Sequence, residues 1–128
     1  MKAWQAFGIV LFCIGLLHIG LALHWFWPQW RAMAAEGLMA SAEVPGEPVR
    51  ALAFWFLFLG VLLLPLGHLC WWIATRRKTA PPALVAWWLI VIGLGGAFFV
   101  PVSGFWLFVA VGLWALIQRQ FTRPRAAA

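Results

Sequence analysis

The 128-residue sequence contains no aspartate, no asparagine and no tyrosine, and its only carboxylate side chains are three glutamates. Charged residues make up 9% of it, against about 25% in an ordinary soluble domain. Apolar residues make up 66%, and a chain this short cannot bury so many of them in one small core. On these grounds we exclude a soluble domain and predict a protein whose solvent is lipid.

No carboxylate lies within any of the long apolar runs of the sequence. A small proton-coupled antiporter needs a carboxylate in the membrane to exchange protons with its cationic substrate. A cation channel that selects its ion with an acidic ring also needs carboxylates in the membrane. Both classes are therefore disfavoured as the primary function.

Only two cysteines are present, and they do not form a metal-binding motif. Cys13 and Cys70 lie at different depths of the predicted spans, which disfavours a disulfide and favours two buried, inert thiols. The sequence also lacks a Walker loop, a dinucleotide-binding glycine pattern and a nucleophile–base–acid set. We therefore predict no catalytic residue and no metal site, and enzymatic activity is less favoured than a non-enzymatic role.

Four apolar runs predict four membrane-spanning helices, because crossing about 30 Å of hydrocarbon takes roughly 20 helical residues. The predicted spans are residues 4–27, 51–74, 82–100 and 103–120. The last two are joined by an uncharged Pro- and Gly-containing turn at 101–104, so we expect them to form a helical hairpin. The predicted fold is an all-α, four-helix transmembrane bundle in which residues 1–128 form one integral membrane domain.

Lysine and arginine are distributed unequally between the two predicted sides of the membrane. One side carries Lys2, Arg76, Arg77, Lys78, Arg119, Arg123 and Arg125, and the other carries Arg31, Arg50 and all three glutamates. By the positive-inside rule, both termini face the cytoplasm and residues 28–50 lie outside it.

The net charge of +6 raises the question of nucleic acid as a partner. The basic residues lie at helix ends and not along a stripe interleaved with stacking aromatics, so nucleic acid is not expected. Membrane lipids with anionic headgroups are the expected partner, and Arg76, Arg77 and Lys78 are the predicted headgroup-binding residues.

The extracytoplasmic segment 28–50 is predicted to contain a short interfacial helix that starts near Pro28. Its apolar face would consist of Trp30, Met33, Ala34, Gly37 and Leu38. The segment is either a connector, which we favour, or a lid over the mouth of the bundle.

Small residues at helical spacing predict where the helices pack, because helix association in lipid depends on close approach of the backbones. The predicted packing positions are Gly8, Gly15 and Ala22 in the first span, Gly60 and Gly67 in the second, Gly93 in the third and Gly112 in the fourth.

His18 lies on the small-residue stripe of the first span and is therefore expected to face other helices. An ionisable residue inside a bundle is a candidate for function. The alternative, which we favour, is a neutral imidazole bonded to a neighbouring backbone carbonyl or hydroxyl. His68 lies about 12 Å from His18 along the membrane normal, too far for both to ligate one haem within a monomer. No cofactor is predicted, and haem or a quinone stays open.

Three functions remain open on these residues. The first is binding of a lipid-like or other apolar small molecule within the bundle. The second is a structural or accessory role through homo-oligomerisation or contacts with a membrane partner. The third is redox chemistry or metal binding by His18 and His68. The pocket of the first function would be lined by His18, Trp55, Ser103, Phe105 and Trp106.

Four short motifs resemble those of a family of small four-helix bacterial membrane proteins of unknown function. They are GLLH at residues 15–18, EGL at 36–38, AFWFLFLG at 53–60 and PVSGFW at 101–106. The resemblance implies four helices and location in the bacterial inner membrane, and it implies no known activity. A fainter similarity in size and helix number to DoxX-like membrane proteins would associate the chain with quinones or redox chemistry.

Overall fold

A computed structural model describes residues 2–122 and shows an all-α protein, as expected. No β-strand occurs in this range. Five α-helices follow one another along the chain: α1 Lys2–Trp25, α2 Trp27–Glu36, α3 Pro48–Trp72, α4 Ala83–Phe99 and α5 Phe105–Thr122. A single π-helical turn, Ile73–Arg77, directly follows α3. Arg123 and Arg125, which count toward the predicted cytoplasmic side, lie outside the described residues.

The first helix ends two residues earlier than expected, at Trp25, and the next helix begins almost at once. Phe26 is the single residue between α1 and α2, and its backbone departs from helical geometry (φ −107°, ψ 23°). Pro28 lies in the first turn of α2, where its missing N–H costs nothing, whereas in the middle of a helix it would remove a hydrogen bond. The proline therefore favours a helix start at this point.

α3 begins three residues earlier than expected, at Pro48, and so includes the charged residue Arg50. The predicted span, residues 51–74, begins directly after Arg50. In the structure Arg50 lies within α3 and pairs with carboxylates from the preceding segment, so α3 does not carry an isolated charge, which would be costly next to an apolar span.

Two compact units are distinguished within the chain. The first, called here the α1–α3 unit, comprises residues 8–69. Its two long helices run antiparallel and touch at glycines: a Cβ on Gly15 would lie 2.9 Å from the carbonyl oxygen of Gly60. A Cβ on Gly67 would lie 2.5 Å from the backbone nitrogen of Phe12 and 2.8 Å from the carbonyl oxygen of Gly8. Backbone therefore packs directly on backbone along this pair.

Among the described residues, the α4–α5 unit comprises residues 2–7 at the start of α1 and residues 70–122. Its helices form a hairpin, in which a Cβ on Gly93 would lie 2.9 Å from the carbonyl oxygen of Phe105. Near the other end of the hairpin, a Cβ on Gly112 would lie 2.7 Å from the carbonyl oxygen of Ala86. All seven predicted packing positions in the two units are buried, namely Gly8, Gly15, Ala22, Gly60, Gly67, Gly93 and Gly112.

The two cysteines differ in exposure, although both were expected to be buried. Cys70 is buried, whereas Cys13 is exposed. Cys13 lies two residues from Gly15, about 200° around the helix, and therefore on the face opposite the glycine contacts.

Two helices are long and apolar enough to span a membrane, judged by length and composition: α1, and α3 together with its π-helical turn. In the most apolar 18-residue window of each, only 28% and 22% of the residues are buried. α4 and α5 are also apolar but shorter. The four-span topology and the single membrane domain therefore stay predictions.

Candidate functional site

His18 lies in an aromatic cluster at the end of the α1–α3 unit that leads into α2. Its ring stacks on Phe56 of α3, with ring centroids 4.4 Å apart and an interplanar angle of 18°. Phe56 also contacts Trp25 at 5.8 Å and Phe26 at 5.9 Å between centroids. His18, Trp25, Phe26 and Phe56 are called the aromatic cluster below.

Helix spacing and one glycine explain why this cluster forms. His18 and Trp25 are seven residues apart in α1, which places them on the same face two turns apart. On α3, Phe56 and Gly60 are one turn apart and also share a face. A Cβ on Gly60 would lie 3.0 Å from the Cβ of His18, so the glycine lets His18 approach α3 closely enough to stack on Phe56.

The imidazole of His18 is half-buried and keeps its hydrogen-bonding capacity. The favoured expectation was a bond from this ring to a backbone carbonyl or a hydroxyl, and no such bond occurs among residues 2–122. A neutral imidazole offers one N–H donor and one nitrogen acceptor. The cluster therefore combines flat apolar surfaces with a polar group able to bind the head of an amphipathic molecule.

Trp55 lies beside this cluster in sequence but has different neighbours. Its indole packs against Phe54 and Phe58, with ring centroids 5.3 Å and 6.0 Å away, and 60% of the residue is exposed. Consecutive helical residues point about 100° apart, which directs Trp55 away from the direction of Phe56. Trp55 thus belongs to the outer surface of α3.

The other three predicted pocket residues lie in the α4–α5 unit, where each has a partner within the hairpin. The hydroxyl oxygen of Ser103 accepts a hydrogen bond from the backbone N–H of Phe105 at 3.4 Å. The ring of Phe105 covers Gly96, where an added Cβ would lie 2.3 Å from it. The indole N–H of Trp106 donates to the carbonyl oxygen of Pro101 at 2.9 Å. These contacts explain all three residues through closure of the turn.

A buried arginine, which the sequence reading did not single out, lies at the start of α3. Arg50 is 4% exposed, and its two terminal nitrogens donate to the two carboxylate oxygens of Glu36 at 2.5 and 2.9 Å. Its Nε donates to the carboxylate of Glu47. The hydrogen bond from Arg50 lowers the pKa of Glu36 below its ordinary value. The only sequence signal was the three-residue spacing of Glu47 and Arg50.

The segment between α1 and α3 is held to the rest of the α1–α3 unit by a hydrogen bond and by a buried side chain, in addition to the ion pairs of Arg50. The indole N–H of Trp30 donates to the carbonyl oxygen of Ala22 at 3.1 Å, and Met33 is 2% exposed. Of the expected apolar face, Trp30 and Met33 turn inward, whereas the remaining three residues are exposed: Ala34, Gly37 and Leu38. α2 ends before that face is complete, because Gly37 adopts φ +93°, which is incompatible with a continuing helix.

The predicted headgroup-binding residues lie at the C-terminal end of the π-helical turn. Arg76, Arg77 and Lys78 are all exposed. The guanidinium carbon of Arg77 lies 5.5 Å from the ring centroid of Trp72. Lys78 ends the turn in the left-handed conformation, with φ 52°.

Two further features bear on ligands. Within residues 2–122, no three His, Cys, Asp or Glu side chains come together as metal ligands. A crevice of about 170 Å³, including its open part, lies in the α4–α5 unit. It is too narrow to admit a small molecule as it stands, and its lining includes Trp4, Phe7, Pro81, Pro82, Ala115 and Arg119.

Comparison with known protein families matches residues 2–122 to a family described as "Family of unknown function (DUF6463)". No curated protein and no solved structure matches the chain. The expected resemblance to a family of unknown function is thereby confirmed. The membrane character and the DoxX-like similarity stay predictions.

Proposed function

Since the chain belongs to the family of unknown function DUF6463, we propose a function from its own residues. The protein is a multi-pass protein of the bacterial inner membrane, and it binds a lipid-like small molecule at the aromatic cluster. The observation that carries the proposal is the half-buried His18, stacked on Phe56 and without a hydrogen-bond partner among residues 2–122.

The exposed apolar surface supports the membrane part of this proposal. A core helix of a soluble protein is mostly buried, whereas α1 and α3 bury 28% and 22% of their most apolar windows. Lipid chains are as apolar as these side chains and cover such a surface without exposing it to water.

The lengths of the remaining two helices are compatible with four spans. α4 has 17 residues and α5 has 18. At about 1.5 Å per residue these helices are roughly 26 and 27 Å long, which a slightly thinned bilayer accommodates. No charged residue interrupts the hairpin between residues 79 and 118.

Cysteine labelling tests the topology. In a background with Cys13 and Cys70 replaced by alanine, Pro45→Cys is expected to react with a membrane-impermeant maleimide in intact spheroplasts. Lys78→Cys is expected to react only after the membrane is opened, because the basic cluster is placed in the cytoplasm. Labelling of both positions from one side would contradict the topology.

The chemistry of the aromatic cluster indicates the class of ligand. Stacked rings favour a flat or unsaturated apolar body, and the imidazole favours a head that donates or accepts one hydrogen bond. Quinones, isoprenoid alcohols and fatty acids all meet this description. We propose that one such molecule binds beside His18 with its head toward the outer side.

Native mass spectrometry of the protein released from membranes tests this binding. The wild type is expected to retain an apolar adduct, and His18→Leu is expected to reduce its retention about fivefold, since one hydrogen bond to a neutral group is worth about 1 kcal/mol. His24→Leu is the matched control, because His24 is exposed on another face of the same helix. Equal retention by the wild type and both variants would rule out a role for His18.

A second candidate is a structural role through helix contacts with another copy of the chain. It is favoured by Gly20 of α1 and Gly95 of α4, which are exposed and would have nothing within 4 Å of an added Cβ. Such sites permit close approach of another helix in lipid. The same mass spectra distinguish the candidates, because this one predicts a defined oligomer and no retained ligand.

A further inference from the structure

The π-helical turn and Lys78 form a cluster of cations beside two tryptophans. Arg76, Arg77 and Lys78 are exposed, and Trp71 and Trp72 immediately before the turn are 38% and 39% exposed. Tryptophan favours the membrane–water interface, where its ring lies among the headgroups. The turn therefore combines interface-seeking rings with three adjacent positive charges.

The unit that contains this turn has no carboxylate side chain to neutralise it. All three glutamates lie between residues 36 and 47, in the α1–α3 unit. Within residues 2–122, the ion pairs formed are those of Arg50 with Glu36 and Glu47. The three exposed cations of the turn therefore have no carboxylate partner among residues 2–122 and are available to a negative charge from outside the chain.

The three basic side chains donate no hydrogen bond to a backbone carbonyl among residues 2–122, so they do not cap the helix end. The hydrogen bonds of the turn's side chains to the backbone are those of Thr75, whose hydroxyl donates to the carbonyl oxygens of Trp71 and Trp72 at 2.9 and 3.2 Å. The guanidinium of Arg77 lies against the ring of Trp72, an arrangement that holds the charge at the level of the indole. Positive charge at a helix C-terminus interacts favourably with the helix dipole. Because this helix end is expected at the membrane surface, the three cations lie at the level of the lipid headgroups.

We propose that the turn formed by Arg76, Arg77 and Lys78, with Trp72 beside it, is a binding site for the headgroup of an acidic phospholipid. The negatively charged phosphate lies among the three cations, and the tryptophans lie beside the part of the acyl chains nearest the headgroup. This inference rests on the proposed membrane location. It assigns the site to the inner leaflet and to a lipid class separate from the ligand of the aromatic cluster.

Lipid competition monitored by native mass spectrometry tests the site. The protein is released from micelles that contain equal amounts of phosphatidylglycerol and phosphatidylcholine. The wild type is expected to retain phosphatidylglycerol in excess. Each of the variants Arg76→Gln, Arg77→Gln and Lys78→Gln is expected to lower phosphatidylglycerol binding about fivefold. This is the size of the attraction that one basic residue contributes near an anionic surface. The preference is also expected to fall at high salt.

Arg31→Gln is the matched control, since Arg31 is exposed on α2 in the other unit. It is expected to leave the preference unchanged, and an excess of inorganic phosphate is expected not to displace the lipid. Equal retention of the two lipids by the wild type would overturn the site, as would displacement by phosphate or an equal effect of the control.

Membrane fractionation of the same samples separates this inference from the proposed function. If the protein sediments with membranes and shows no preference for phosphatidylglycerol, only the headgroup site is wrong. If it does not sediment with membranes, the proposed function and the headgroup site are both wrong.

Discussion

Replacing Gly67 by alanine is expected to lower the free energy of unfolding by about 3 kcal/mol, at the upper end of what overpacking costs. The added Cβ would lie 2.5 Å from the backbone nitrogen of Phe12 and 2.9 Å from its Cα. Neither atom belongs to a side chain that can rotate away, so α1 and α3 must move apart. That movement loosens contacts along the whole pair. Unfolding in mixed micelles, followed by tryptophan fluorescence, measures the loss.

Gly20→Ala is the matched control for this prediction. Gly20 also lies in the interior of a long apolar helix, but a Cβ there would meet nothing within 4 Å. Alanine is favoured over glycine inside a helix by roughly 0.5 to 1 kcal/mol, so this variant is expected to be as stable as the wild type or slightly more stable. A Gly67→Ala protein that unfolds like the Gly20→Ala protein would show that the two helices do not pack at Gly67.

The helices and their contacts could be predicted from sequence because both depend on short-range patterns. A long apolar run has few alternatives to a helix in lipid, and residues three, four or seven apart share a helix face whatever surrounds them. Gly15 and Gly60 could therefore be assigned to packing faces separately, without knowing that they meet. Their pairing, with a Cβ on Gly15 only 2.9 Å from the carbonyl oxygen of Gly60, depends on the register of α1 against α3.

The candidate site was harder to predict because spacing shows which residues share a helix face but not which residue of another helix they contact. Phe56 was not singled out, since it lies within a run of aromatic residues that sequence alone cannot rank. Ser103 and Trp106 were assigned to a pocket on composition, whereas they bond to residues two and five positions away and close the turn. Polar side chains near a proline turn often form hydrogen bonds with backbone groups of the turn, and a group engaged in this way is less available to a ligand.

The pairing of Arg50 with Glu36 spans 14 residues of sequence and includes a helix end and a turn. No periodic pattern links such positions. Sequence reasoning placed both residues on the same side of the membrane, which is a condition for pairing but does not establish it. The structure adds the consequence: α2 is fastened to the start of α3 by a bidentate bond, the geometry in which an arginine binds a carboxylate most strongly.

Replacing Arg50 by methionine is therefore expected to release the segment between α1 and α3. Methionine fills a similar volume, but Glu36 and Glu47 would be left as neighbouring carboxylates with no cation between them. We expect amide hydrogen exchange in α2 to accelerate roughly tenfold, since bonds of this type hold a segment against local opening. Exchange in α5, which belongs to the other unit, is expected to stay unchanged.

Glu36→Gln and its control, Glu43→Gln, extend this prediction to pH. Because Arg50 lowers the pKa of Glu36, the contribution of the pair is fully present above the unfolded pKa of about 4.3. It is lost as the pH falls through the lower folded-state pKa. The intrinsic exchange rate of amides itself falls as the pH is lowered, so the readout is the protection factor, in which the observed rate is divided into the intrinsic rate at the same pH. The protection factor of α2 in the wild type should therefore fall in acid. In Glu36→Gln it should be low already at neutral pH, whereas Glu43→Gln, which changes an exposed side chain, should behave like the wild type. Slow exchange in both the Arg50→Met and Glu36→Gln proteins would mean that Trp30 and Met33 alone hold the segment in place.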